Sequence, residues 1–218
     1  MMKPQFPLST IFIAFLLPFI FFATLSDLFA QPEQDPNKFP VGIAEGSYDR
    51  VYPLSEELSR VKKGAKYGFV NREGTLIISL IFDKAADFSM ERARVSLNEK
   101  SGFIDKSGEV VIPMMYDRCW SFTEGLAKVK LNDKYGFLSP DGKPVIPIEY
   151  DEAQPASEKM VLVRQGTKYG YYTTEGQMTI PLSFEEAYSF FAGKARVRMG
   201  NDWFYIDKRG RCIEDCKN

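Results

Sequence analysis

The 218-residue sequence contains no histidine. That absence removes the commonest general base, the commonest metal ligand and the side chain that switches charge near neutral pH. Cysteine is scarce: Cys119, Cys212 and Cys216 are the whole supply. Three thiols without histidine do not make a four-ligand zinc site, so neither a metal nor another cofactor is expected. Neither sign of charge is in surplus, since 28 Lys and Arg face 29 Asp and Glu for a formal net charge of -1. A general nucleic-acid binder needs a cationic excess, and nucleic acid is not expected as a partner. No pair of acids stands apart from the regular positions described below, so no catalytic residue is assigned.

Long apolar runs are confined to the amino terminus. Residues 11–25 form an apolar run behind Lys3, short for a bilayer span of roughly 20 residues. Ala30 before Gln31 offers a small residue at a cleavage point. Residues 1–30 read as a secretory signal, with an uncleaved membrane anchor as the alternative and the sole route to membrane contact. Either reading exports the remainder to a periplasm, an outer surface or the medium. Residues 31–44 open with the proline-rich QPEQDPNKFP and read as a tether. Residues 45–218 then form the folded domain.

What the chain has in quantity is apolar and aromatic residues, 44% and 14%, in a register that repeats every 34 residues. Lys66-Tyr67-Gly68-Phe69-Val70 returns as Lys100-Ser101-Gly102-Phe103-Ile104, Lys134-Tyr135-Gly136-Phe137-Leu138 and Lys168-Tyr169-Gly170-Tyr171-Tyr172. An altered fifth copy is Asp202-Trp203-Phe204-Tyr205-Ile206. Columns of glycine (Gly74, Gly108, Gly142, Gly176, Gly210) and valine (Val61, Val95, Val129, Val163, Val197) keep the same step. A fixed period of this size means stacked supersecondary units.

Within each copy the pattern is that of strands. Ala127-Lys128-Val129-Lys130-Leu131 alternates apolar and charged residues, as a half-buried strand does. Asn132-Asp133 suits a tight hairpin turn. A second strand spans residues 135–138, and Val145-Ile146 makes a brief third that Pro147 should end, as Pro113 and Pro181 should in their copies. The fold class is all-β: about five 34-residue antiparallel meanders, stacked as an open solenoid or closed as a propeller-like ring by the half-repeats at the two ends.

These motifs, with the Val-Ile-Pro step and the Tyr116-Asp117 and Tyr150-Asp151 pairs, resemble the WG repeat, also called the KWG repeat. The resemblance covers roughly residues 45–215. It implies a bacterial, often envelope-associated protein with an interaction role, and it carries no catalytic residues to transfer. The family's glycine usually follows tryptophan, a place held here by Tyr67, Ser101, Tyr135 and Tyr169.

Candidate functional features are charge and aromatic columns. The Asp105-to-Gly108 and Asp207-to-Gly210 motifs read as turn chemistry and not as cation loops. Cys119 reads as a small core residue. In an extended strand Cys212 and Cys216 would lie about 13 Å apart, beyond the ~7 Å a disulfide spans, so they are not bonded to each other unless the tail curls. Lys66, Lys100, Lys134 and Lys168 form one cationic column. Arg60, Arg94, Lys128 and Arg196 form a second, and Lys62, Lys130, Arg164 and Arg198 a third; strand alternation places the last two on an outer face. They either pair with the acidic column of Asp49, Asp83, Asp117, Asp151 and Glu185 or make a basic stripe. Phe69, Phe103, Phe137, Tyr171 and Tyr205 read as core. The variable column holding Tyr52, Trp120 and Tyr188 reads as surface. Together Trp120, Tyr188, Tyr52, Arg94, Lys128, Lys130, Arg196 and Arg198 are the expected contact residues. They suit a non-enzymatic binding or scaffold module for an unidentified protein partner. An envelope polysaccharide or anionic surface is the second reading, and a paired-carboxylate glycosidase is a remote third.

Overall fold

Five repeats of one pattern produce five sheets of one pattern. The computed structural model describes residues 38–216, so the expected signal and residues 31–37 of the expected tether lie outside the described residues. The first sheet holds β1 (Arg50–Ser55), β2 (Leu58–Lys63), β3 (Lys66–Asn71) and β4 (Leu76–Phe82). The second holds β5 (Lys84–Ala85), β6 (Ala93–Leu97), β7 (Lys100–Ile104) and β8 (Val110–Tyr116). β9 (Arg118–Cys119), β10 (Ala127–Leu131), β11 (Lys134–Leu138) and β12 (Pro144–Tyr150) make the third. β13 (Glu152–Ala153), β14 (Met160–Gln165), β15 (Lys168–Thr173) and β16 (Met178–Phe184) make the fourth. β17 (Glu186–Ala187), β18 (Ala195–Met199), β19 (Asp202–Ile206) and β20 (Cys212–Glu214) complete the fifth. All are antiparallel meanders in chain order.

Each sheet combines the second half of one sequence copy with the first half of the next. The half-copies at the ends are therefore used up inside complete sheets. Strand pairing stays within each sheet, so the ends do not exchange strands. Of the two architectures compatible with the repeat, the array is the open one and not the ring. Residues 38–44 are held to the first sheet, with Leu54 N donating to Lys38 O and Val41 N to Arg72 O, both at 2.7 Å.

The hairpin turns follow the sequence. Asn132 and Asp133 take φ values of 50° and 60°, as a two-residue turn matched to strand twist requires. The third strand of the sequence reading, by contrast, does not stop at proline. β8, β12 and β16 run through Pro113, Pro147 and Pro181 for seven residues each. They lie at sheet edges, where a missing N–H breaks no ladder. Each is also bulged beside its proline: Tyr135 faces Tyr150 while Phe137 faces Ile146. The bulge folds over Gly136, where a Cβ would stand 2.7 Å from Pro147 O and Ile148 Cα. Glycine and proline columns thus serve one device.

The core lies along and between the sheets. Val61, Val95, Val129, Val163 and Val197 are fully buried, as are the rings of Phe69, Phe103, Phe137 and Tyr171. Tyr205 departs from that column and is half-exposed; among the described residues no further sheet lies against it. At the last sheet the tail meets the exception to the extended-strand reading of the cysteines. β20 ends at Glu214, and Asp215 has a φ of 58°, so the chain curls. Cys212 and Cys216 come to 5.9 Å between Cα atoms and are disulfide-bonded. Cys119 is a buried free thiol whose pKa burial pushes up to about 12.

Candidate functional site

The acidic column staples sheet to sheet. Lys66 Nζ bonds Asp83 at 2.6 Å, Lys100 bonds Asp117 at 2.7 Å, and Lys134 bonds Asp151 at 2.6 Å. Each carboxylate's other oxygen accepts a turn N–H of the following sheet, from Asn98, Asn132 and Gly166. The lysine ammonium first, and then that N–H, hold these carboxyls below their ordinary pKa. Lys168 meets Glu185 at 3.3 Å in the same way. The first cationic column is therefore consumed by structure. In the turn motif, Asp105 accepts N–H bonds from Ser107 and Glu109, and Asp207 from Arg209 and Arg211.

The second column does not stand free on an outer face. Arg60, Arg94 and Lys128 are half-buried. Each reaches the first strand of the next sheet, donating to the carbonyl oxygens of Ala85, Cys119 and Ala153 respectively. Strand alternation shows which face a side chain leaves by, and not that a neighbouring sheet meets it there. Arg196 lies on the last sheet of the described residues and is exposed, with its guanidinium 4.6 Å from the centre of the Trp203 ring. In the third column Lys130 pairs with Asp133 at 2.7 Å, and Arg198 pairs with Glu185 at 3.2 Å and Glu186 at 2.8 Å.

A further basic column, overlooked in the sequence, lies on the first strands at Arg50, Lys84 and Arg118. Its signal was readable: the same register carries Glu152 and Glu186 in the last two sheets. Among the described residues, Arg50, Lys62, Lys84, Arg94, Arg118 and Lys128 have no salt-bridge partner. Burial, then the charges of Arg118 and Arg60, lower the pKa of Arg94. Burial and then Arg118 lower that of Lys128. The cations are crowded by one another.

Aromatic rings are interleaved with them. Arg60 lies 3.7 Å and Arg50 4.8 Å from the centre of the Tyr52 ring. Lys128 lies 4.2 Å and Arg118 4.7 Å from the centre of the Trp120 ring. Tyr188 is exposed and stands apart in the fifth sheet against Trp203, at 5.9 Å. The structure therefore brings Trp120, Arg94 and Lys128 together around one pocket with Arg118. Tyr188, Arg196 and Arg198 gather separately around Trp203.

Comparison with protein families identifies the repeat. The WG containing repeat family matches residues 43–67, 67–100, 102–135, 135–169 and 169–203. No curated protein matches the chain. Among solved structures, a eukaryotic initiation factor is similar over 83% of this chain and 57% of its own, with 11% identity and a TM-score of 0.47. PorZ, a surface component of the type-IX secretion system of Porphyromonas gingivalis, is similar over 72% of this chain and 27% of its own, with 10% identity and a TM-score of 0.37. The chain spans 57% or less of the length of these two structures. Five consecutive matches across residues 43–203 place the chain in the WG containing repeat family, and it belongs there.

Proposed function

We propose that the chain is a non-enzymatic interaction module, exported from the cytoplasm, that docks an acidic surface of a protein partner on the cationic face of its first three sheets. One observation carries this reading: Arg50, Lys62, Lys84, Arg94, Arg118 and Lys128 form no salt bridge among the described residues. Like charges directly opposite one another destabilise a sheet. Here Arg50 faces Lys62 and Arg118 faces Lys130, a loss that a bound anionic surface would reverse. Export rests on the apolar run of residues 11–25 and the small residue at Ala30.

A second reading, an acidic envelope glycan, draws on the Tyr52 and Trp120 rings beside the same cations. Cross-linking the native protein in its envelope fraction, followed by mass spectrometry, separates the two. The control is the Arg118→Glu, Lys130→Glu variant. A discrete protein adduct that the variant loses supports the module. Glycan adducts without protein move the assignment to the second reading, and adducts unchanged by charge reversal defeat both.

A further inference from the structure

Successive sheets are joined ring on ring. Phe88 packs on Phe69 with centroids 5.0 Å apart, Phe122 on Phe103 at 4.9 Å, and Phe190 on Tyr171 at 5.1 Å. The fourth junction of this kind, between the third and fourth sheets, is different. Position 156 lies 34 residues after Phe122 and 34 before Phe190, and it is alanine. No ring of the next sheet packs on Phe137, which is nonetheless buried at 1% exposure beside Leu126 and Ala156. A pocket of about 330 Å³ opens there, floored by Phe137, Ala156 and Leu126 and walled by Pro155 and Trp120. That size falls at the lower end for ligand sites, which run from about 300 to 1,000 Å³.

The rim carries Arg94, Arg118 and Lys128. No carboxylate among the described residues pairs with any of the three. The Arg94 guanidinium has one hydrogen bond, to Cys119 O at 3.2 Å, and its Nε is buried with none. Two requirements follow for an occupant. It must present an apolar group to the lining beside Ala156, the position where three sister junctions hold phenylalanine, and it must bring negative charge to the cations around it.

We infer that this pocket receives a phenylalanine side chain of a partner polypeptide, flanked by acidic residues that bind Arg94, Arg118 and Lys128. The inference deepens the proposed docking function and rests on it, naming the kind of segment recognised. A sugar would find polar partners in Ser121 and Thr123, but the apolar share of the lining, Leu126, Phe137, Pro155 and Ala156, favours a phenyl ring.

The chain has two tryptophans, Trp120 and Trp203, so the full chain carrying Trp203→Phe leaves Trp120 as the sole indole reporter in the pocket wall. The probe is a capped Gly-Ser-Glu-Phe-Asp-Gly-Ser peptide. Saturable change in Trp120 fluorescence is expected. Replacing the peptide's Phe by Ala, or its acids by Gln and Asn, should weaken binding at least tenfold. Ala156→Phe, which fills the pocket as the sister junctions do, should abolish binding while thermal melting remains at or above that of the parent. Lys128→Ala should weaken binding at least tenfold and decides the matter should Ala156→Phe fail to fold. No saturable binding up to about 1 mM, an equal response to the peptide lacking Phe, or binding undiminished by Ala156→Phe in a folded protein overturns the inference. So does saturable binding of oligogalacturonate in place of the peptide. The docking reading itself falls only with the cross-linked adduct, so the two failures are distinguishable.

Discussion

The first three sheets and the last two share one backbone frame and differ in charge at one cross-strand pair. In the first region that pair reads Arg50 with Lys62, Lys84 with Ser96 and Arg118 with Lys130. In the second it reads Glu152 with Arg164 and Glu186 with Arg198, and both pairs are closed ion pairs. Positions that stacking uses keep their residue type along the array: the valine column, the acidic staples and, in the first four sheets, the close-approach glycines. The cross-strand pair changes sign because stacking does not depend on it. Such a position is free to select a partner, and the unneutralised half of the array is where selection is expected.

The largest effect should be blind to this difference. Gly136 and Gly170 lie in different regions, yet a Cβ at either would stand 2.7 Å from the backbone of its bulged strand. Gly136→Ala and Gly170→Ala should each destabilise by about 3 kcal/mol, measured by urea denaturation. Unequal losses would mean that the two regions do not share a frame.

Acid should act next, through the staples. Asp83, Asp117 and Asp151 have folded pKa values below the ordinary one, so the folded chain binds protons less readily than the unfolded chain. Their contribution is complete above the unfolded value of about 3.9 and is lost as pH falls through the lower folded value. The thermal midpoint should stay level from neutrality to about pH 5 and drop below about pH 4. Replacing the three with Asn should flatten that drop. A drop of unchanged steepness would remove the staples from the account.

Much of this was legible from the register alone, because the columns that define it are those the sheets bury. Val129, Phe137 and the Asn132-Asp133 turn are read by local rules, and local rules sufficed. Pro147 misled because its effect depends on whether its strand lies at an edge, which pairing decides and sequence does not display. Arg94 and Lys128 misled for a similar reason: the alternation was right, but the neighbouring sheet's carbonyls lie where open solvent was expected. The disulfide depended on the curl at Asp215. Ala156 was visible in the register beside Phe88, Phe122 and Phe190, but what those rings cover became apparent only with the sheets stacked.

Reducing the disulfide should affect only the second region. Closing so short a loop between Cys212 and Cys216 contributes at most about 2 kcal/mol. Amide exchange should quicken in β19 and β20 and remain unchanged in the first three sheets. Quickening throughout the array would show that the last sheet caps the whole stack.

The smallest expected effect on stability tests the comparison most directly. Arg118→Glu gives the third sheet the pattern of the fourth, replacing the Arg118–Lys130 juxtaposition with a pair like Glu152–Arg164. Glu152→Arg does the converse. Opposite charges across a strand pair contribute roughly 0.2–1 kcal/mol and like charges oppose by a similar amount. The first variant should therefore be slightly more stable than the parent and the second slightly less, both effects shrinking in high salt as exposed pairs are screened. Ligand binding should move against stability: Arg118→Glu removes a cation from the Trp120 pocket, and a more stable protein should bind the proposed acidic peptide more weakly. Should Arg118→Glu lower stability, the cations of the first region would have a structural role instead, and the charge reversal along the array would no longer identify a binding face.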